Sequence, residues 1–222
     1  MHAHDRTMLA NLGFADPDKR NPLHDLACQY LALPGTADKI VGLLGLEHGP
    51  EAYREEFDCC LEEGAETRRV RVSHVAFEHP IVKGSGQYRT SIGFADLVLG
   101  LDVETERTGV TERRKDYRGV WGRPEKKRDL RSTWRRLVGM EVKIAPVPIG
   151  DVIRQVKLYG SYTDRQSCQE IHRWVVTTAY PISSLDVQCL RNERITHVVL
   201  GEGFKQFVAD QDAPSDQGNV EV

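Results

Sequence analysis

Three short runs carry residue types suited to phosphodiester chemistry. Glu141-Val142-Lys143 lies in an apolar stretch, residues 138–144, that reads as a strand. Strand side chains alternate faces, so Glu141 and Lys143 project together, roughly 7 Å apart, while Val142 points into a core and leaves its carbonyl near the acidic side. A carboxylate binds a hard cation such as Mg²⁺ through oxygen. A neighbouring ammonium orients a water or steadies charge developing on a phosphate. One carboxylate rarely suffices. Asp96 is the natural second, because it closes Gly93-Phe94-Ala95-Asp96 and opens the apolar Leu97-Val98-Leu99. If that strand pairs beside residues 138–144, Asp96 and Glu141 meet at one sheet edge. Gln155 and Tyr159 are four apart on an expected helix, hence neighbours on one face, where an amide and a phenol can orient a carboxylate or hold a nucleic-acid backbone.

Gly-x-x-Asp, Glu-x-Lys and Gln-x-x-x-Tyr, in this order over strand, strand and helix, resemble the RecB-like branch of the PD-(D/E)XK nuclease superfamily. The resemblance covers roughly residues 78–180. It implies a restriction-endonuclease-like core, a Mg²⁺ or Mn²⁺ ion held by Asp96 and Glu141 with the Val142 carbonyl nearby, and a catalytic Lys143. Glu78, ending the strand before Gly93–Asp96, is a further carboxylate of the kind such nucleases place there. RecB-like members often carry a histidine ligand near a helix start; His48, ahead of Gly49-Pro50, fits that placement, and His24 fits it less well. Some relatives hold an iron–sulfur cluster on four cysteines. Cys28, Cys59, Cys60, Cys168 and Cys189 lack the clustered spacing, so no cluster is expected. One departure is the gap between Asp96 and Glu141, which is long for a two-strand hairpin and demands an insertion.

The elements that would position these groups can be read from periodicity. Residues 1–21 form a polar arm. Asn21 caps a helix whose first residue is Pro22, and Leu23, Leu26, Ala27, Tyr30 and Leu31 form its stripe. Pro34-Gly35 ends it, Thr36 caps a second helix, and residues 51–63 read as a third, charged helix. These make an N-terminal arm and helical block over residues 1–64. Residues 68–77 and 87–103 read as strands, followed by the strand of Glu141, a helix over residues 151–162, β-rich runs at 174–179 and 195–200, and a short helix near 203–209. The order predicts an α/β, mixed α+β core over residues 65–208, with a central mixed sheet flanked by helices. Residues 209–222 read as an acidic, disordered tail.

Residues 104–137 differ from the rest: twelve are Arg or Lys and six are Asp or Glu, with Trp121 and Trp134 among them. No apolar period runs through them, so they read as a basic insertion emerging beside the site. Arg113, Arg114, Lys115, Lys126, Lys127, Arg128, Arg135 and Arg136 are its candidate contacts to phosphates, and the tryptophans can stack on bases.

At 222 residues and 40% hydrophobic, the chain is long enough for a sizeable core. No apolar run approaches the ~20 residues of a membrane span, and Met1-His2-Ala3-His4-Asp5 lacks the core of a signal peptide. An odd count of five cysteines without a Cys-x-x-Cys pair suggests a reducing, cytoplasmic setting. The net charge of −3 does not advertise nucleic-acid binding, but its uneven distribution matters more. The expectation is a metal-dependent nuclease, exo- or endonucleolytic, of DNA repair, recombination or defence. The rivals are a non-catalytic nucleic-acid-binding protein on the same fold and a regulatory protein docking through its N-terminal helices, with a homo-oligomer or protein partner on that surface.

Overall fold

The computed structural model describes residues 21–83, 90–162 and 171–212. Most of the expected N-terminal arm, Cys168 and residues 213–222 of the expected tail lie outside them. The described chain is a mixed α and β structure: one seven-stranded mixed sheet and five helices.

Two helices come first. Asn21 accepts from the Leu23 N–H at 3.1 Å and caps α1, Pro22–Ala32, whose first residue is the proline that needs no N–H partner there. α2, Pro34–Leu43, also starts on its proline. Pro34 therefore opens the second helix rather than closing the first, and Thr36 sits inside it instead of capping it.

The third expected helix does not exist. Residues 48–57 form strand β1, His48–Phe57, which turns at Asp58-Cys59 into β2, Cys60–Lys83. Asp58 has φ +42°, the left-handed backbone that a two-residue hairpin turn requires. Glutamates favour helices in isolation, but cross-strand pairing overrides that preference. The helical block thus ends near residue 47.

β3, Thr90–Arg114, pairs antiparallel with β2 over nearly its whole length. It then pairs antiparallel with β5, Leu130–Lys143, from Leu97 opposite Met140 out to Arg107 opposite Leu130. The two-residue β4, Glu125–Lys126, lies against Glu112 and Thr111. The long gap between Asp96 and Glu141 is therefore a long hairpin. Residues 104–137 are mostly the outer halves of two sheet strands, and only residues 115–129 form an excursion.

Beyond β5 the sheet becomes parallel. α3, Ile149–Tyr162, crosses to β6, Ile171–Thr178, and α4, Ser184–Asn192, crosses to β7, Ile195–Val199. α5, Glu202–Asp212, closes the described chain, so residues 209–212, expected in the tail, are helical. The order is β1-β2-β3-β5-β6-β7, with β4 beside β3.

Helices cover both faces of the inner sheet. Leu97, Leu99, Leu101 and Val103 of β3 and Val138, Met140 and Val142 of β5 pack with Ala27 and Leu31 of α1, Ile40 and Val41 of α2, and Phe204 of α5. The alternate positions, including Val98, Leu137, Trp174 and Val176, pack with Val152, Val156 and Tyr159 of α3 and Leu190 of α4. Two-residue alternation sorts one strand between two cores. Burial of an aliphatic side chain contributes about 1.5–3 kcal/mol. Both clusters stop at Val103 on β3 and Leu137 on β5.

Outside that limit the strands continue as an arm held by cross-strand polar pairs. Buried Glu66 takes Arg68 at 2.7 Å and Arg107 at 2.9 Å, and buried Glu112 takes Arg114 at 2.5 Å and Lys127 at 3.0 Å. A buried carboxylate is tolerable only when so partnered. At the root of the arm β2 gains a residue relative to β3 between Val72 and His74. There the Ser73 hydroxyl donates to the Gly100 carbonyl at 3.1 Å, and the His74 ring packs so closely on Gly100 that a Cβ would lie 1.8 Å from it.

Candidate active site

Three elements bring chemical groups together at the inner end of the β3–β5 ladder. The last paired residues there are Leu97 and Met140. One step further in, Asp96 and Glu141 stand level with each other, and the ladder bond is replaced by a side chain: Asp96 Oδ2 accepts from the Val142 N–H at 2.7 Å. β3 is thereby pinned to β5 through a carboxylate rather than a carbonyl.

Glu141 is 2% exposed. Lys143 Nζ donates to its Oε1 at 2.6 Å, and Gln155 Nε2 donates to the same oxygen at 2.7 Å. Gln155 is fixed in turn, since its Nε2 reaches the Tyr159 hydroxyl at 3.0 Å and its Oε1 lies 3.4 Å from Lys143 Nζ. Tyr159 is fully buried, hydrogen-bonds to the Phe94 backbone, and packs against Trp174 with ring centroids 5.8 Å apart. Trp174 in turn lies on Gly139, where a Cβ would come within 2.7 Å of the indole. The helix period and the strand alternation thus aim five groups from β3, β5 and α3 at one point.

The electrostatics follow from burial. Desolvation pushes the Glu141 carboxyl up to about 7, and the negative charge of Asp96 adds to the shift against Lys143 and Gln155. For Lys143 burial opposes the charge, but Glu141 and Asp96 outweigh it and raise the ammonium above its ordinary value. Burial also raises the Tyr159 phenol, which therefore stays neutral. Both hydrogen bonds to Glu141 use Oε1. Oε2 is buried and has no partner.

A buried carboxylate oxygen without a donor is costly and calls for a positive partner. Asp96 and Glu141 supply hard oxygen ligands of the kind Mg²⁺ or Mn²⁺ takes. In ligand type these two carboxylates suit such an ion.

The histidine differs from expectation. His48 lies on β1, opposite Arg68, with Nε2 3.7 Å from Glu66, on the arm and away from Asp96. His24, the less favoured of the two, is the histidine beside Asp96: Nε2 is 3.4 Å from Asp96 Oδ1 and Nδ1 is 3.9 Å from Cys28 Sγ. Its hydrogen bond to Asp96, with help from Cys28, pushes its pKa up to about 10. A signal existed in the sequence. His24, Ala27, Cys28 and Leu31 fall at helical spacing, so His24 lies on the buried stripe of α1, where a polar group needs a partner.

Glu78 stands level with Asp96 on β2, between Phe77 opposite Leu97 and His79 opposite Ala95. It has φ +46° and an exposed side chain without an ion pair among the described residues. For Val142 it is the N–H whose contact with Asp96 is shown.

The eight candidate phosphate contacts do not line the site; they lie out along the arm. Five are engaged within it: Arg113 with Glu63 at 3.9 Å, Arg114 and Lys127 with Glu112, Lys115 with Glu56 at 2.9 Å, and Arg135 with Asp102 at 3.7 Å. Arg136 lies 5.8 Å from the Trp134 ring. Lys126 and Arg128 face no carboxylate among the described residues.

A second group of ligand-type side chains, Cys60, Glu62 and Glu112, lies at the outer end of β2 and β3. Glu112 is already neutralised there by Arg114 and Lys127. Among the described residues no helix is long and apolar enough to cross a membrane. No protein-family model, curated protein or solved structure matches the chain.

Proposed function

We propose that this protein is a divalent-metal-dependent nuclease that hydrolyses phosphodiester bonds in DNA, on a restriction-endonuclease-like core. The observation that carries the reading is the bare, buried Oε2 of Glu141 beside Asp96, with Lys143 on the other oxygen.

Asp96 and Glu141 would hold the ion, with His24 against Asp96. Bound there, a divalent cation supplies charge neutralisation at the phosphate and activation of the attacking water. Lys143 offers its ammonium to the same anionic centre and steadies the pentacovalent phosphate. Gln155 holds Glu141 and Lys143 in register through its two amide atoms, so neither reorients when charge develops. Tyr159 fixes Gln155 and keeps water from that side. Uncatalysed phosphodiester hydrolysis is very slow, so this arrangement has many kcal/mol to supply.

The test is cleavage of circular and linear, single- and double-stranded DNA with and without Mn²⁺. Metal-dependent product from the wild type and none from Asp96→Asn are expected. DNA binding without cleavage under every metal tried would make the chain a binding protein, and no affinity at all would make it a regulatory one.

A further inference from the structure

The tip of the arm is a built surface. Asp116 accepts from the N–H groups of Arg118 at 2.8 Å and Val120 at 3.0 Å, and Gly119 supplies a φ of +77° at the turn. This presents Tyr117 at 89% exposure and Val120 at 60%. Arg118 Nε donates to the Tyr117 hydroxyl at 2.8 Å, and Lys115 lies over Trp121 at 4.3 Å. Residues 115–129 hold six cations and three acids, in a chain whose net charge is −3. Lys115 and Lys127 are spent on Glu56 and Glu112. Arg118, Arg123, Lys126 and Arg128 face no carboxylate among the described residues. Cations left unpaired on a hairpin, beside the exposed Tyr117, match a phosphate backbone.

Position gives this surface its meaning. Lys126 pairs with Thr111 on β3, the strand that carries Asp96. Along β3 that separation is ~50 Å at roughly 3.3 Å per residue, the length of ~15 base pairs of B-DNA. Sheet twist shortens the straight path, which places Lys126 between about 10 and 15 base pairs from the site, with Arg118 and Arg123 further out.

We propose that Arg118, Arg123, Lys126 and Arg128 anchor duplex DNA at a distance from the cleavage site, so that the protein engages fully only duplexes reaching about 10 to 15 base pairs beyond the scissile phosphate. The inference rests on the nuclease reading for the position of the cut. It excludes the arm's paired cations from phosphate binding, and it adds Arg118 and Arg123 to the contacts.

The experiment uses the full chain and a series of blunt duplexes of roughly 8 to 24 base pairs. Binding is measured in chelator, where no cleavage occurs, and kcat/KM is measured in Mn²⁺. The expected result is a step of ~10-fold or more in affinity and in kcat/KM as the duplex first spans site and tip, because several charge contacts are gained together. In the variant Arg118→Ala, Arg123→Ala, Lys126→Ala, Arg128→Ala, long duplexes fall to the level of short ones, and the salt slope drops by about 3 to 4. A smooth length dependence in the wild type overturns the proposal, and this readout needs no variant to fold. No duplex affinity at any length also overturns it and leaves the tip as a surface for an acidic protein. Cleavage without a length step removes the anchor and spares the nuclease. A length step in binding with no cleavage under any metal removes the nuclease and spares the anchor.

Discussion

Gln155 of α3 and Lys143 of β5 share one acceptor, Glu141 Oε1, at 2.7 and 2.6 Å. The convergence saturates that oxygen and leaves its twin bare. The carboxylate is held by one oxygen, and the other lies buried without a hydrogen bond among the described residues. One support comes from β5 itself and the other from the crossover helix α3, so the site depends on the parallel half of the sheet as well as on the β3–β5 hairpin.

Lys143→Gln should lower kcat by at least about 100-fold while KM and DNA affinity change little, because the ammonium acts mainly as charge develops. Steady-state kinetics in Mn²⁺ decide this. Undiminished turnover would take Lys143 out of the chemistry. Stability should also fall, on the order of 3 kcal/mol, since Glu141 would lose its cation in a buried site.

The pH dependence of the metal-free protein follows from Glu141. Its folded pKa, about 7, lies above the ordinary 4.5. The folded state therefore binds more protons between those values, and the contribution to stability is present at low pH and lost as pH rises through about 7. Denaturation in chelator should show this decline in the wild type and a shallower one in Glu141→Gln. Equal slopes for the two proteins would refute it. Added Mn²⁺ should stabilise the wild type and not the variant.

Much of this site could be read from residue order alone, and the reason is local. Glu141 and Lys143 share a strand face, and Gln155 and Tyr159 share a helix face, so period fixes each pair. Asp96 was placed by the polar-to-apolar switch at its position. The arm could not be read this way. Its strands bury glutamates against arginines, as at Glu66 and Glu112, so they show no apolar alternation. β1 reads as a helix because its glutamates favour one in isolation, whereas its stability comes from cross-strand pairing with β2 through the Asp58-Cys59 turn. His48 and His24 were ranked by distance to a helix start, when burial on the α1 stripe was the better guide.

His24→Ala tests the contact with Asp96. His24 has a folded pKa of about 10 against an ordinary 6.5, so its contribution is full below 6.5 and lost as pH rises towards 10. With the side chain partly solvated, the loss should be on the order of 2 kcal/mol near pH 6. Thermal unfolding of wild type and variant across that range should show the gap closing with rising pH. A gap independent of pH would mean that His24 contributes packing only.

Gly139→Ala probes the aromatic support. A methyl group there would meet Trp174 at 2.7 Å, and Trp174 backs Tyr159, which holds Gln155. The cost should be about 1–3 kcal/mol of overpacking, with a fall in kcat through the displaced amide. Unchanged stability and turnover would show that the stack yields freely.

The bulge at Ser73, with His74 seated on Gly100, marks where the arm leaves the helix-covered sheet. Mechanically the arm is a cantilever, and a cantilever is loaded most at its root. β3 runs through that root without a break, so no linker absorbs a force applied at Tyr117. Compliance is expected instead at the bulge, where an extra residue interrupts the ladder. A load applied at the tip would therefore be felt as torsion at Gly100, four residues along the same strand from Asp96.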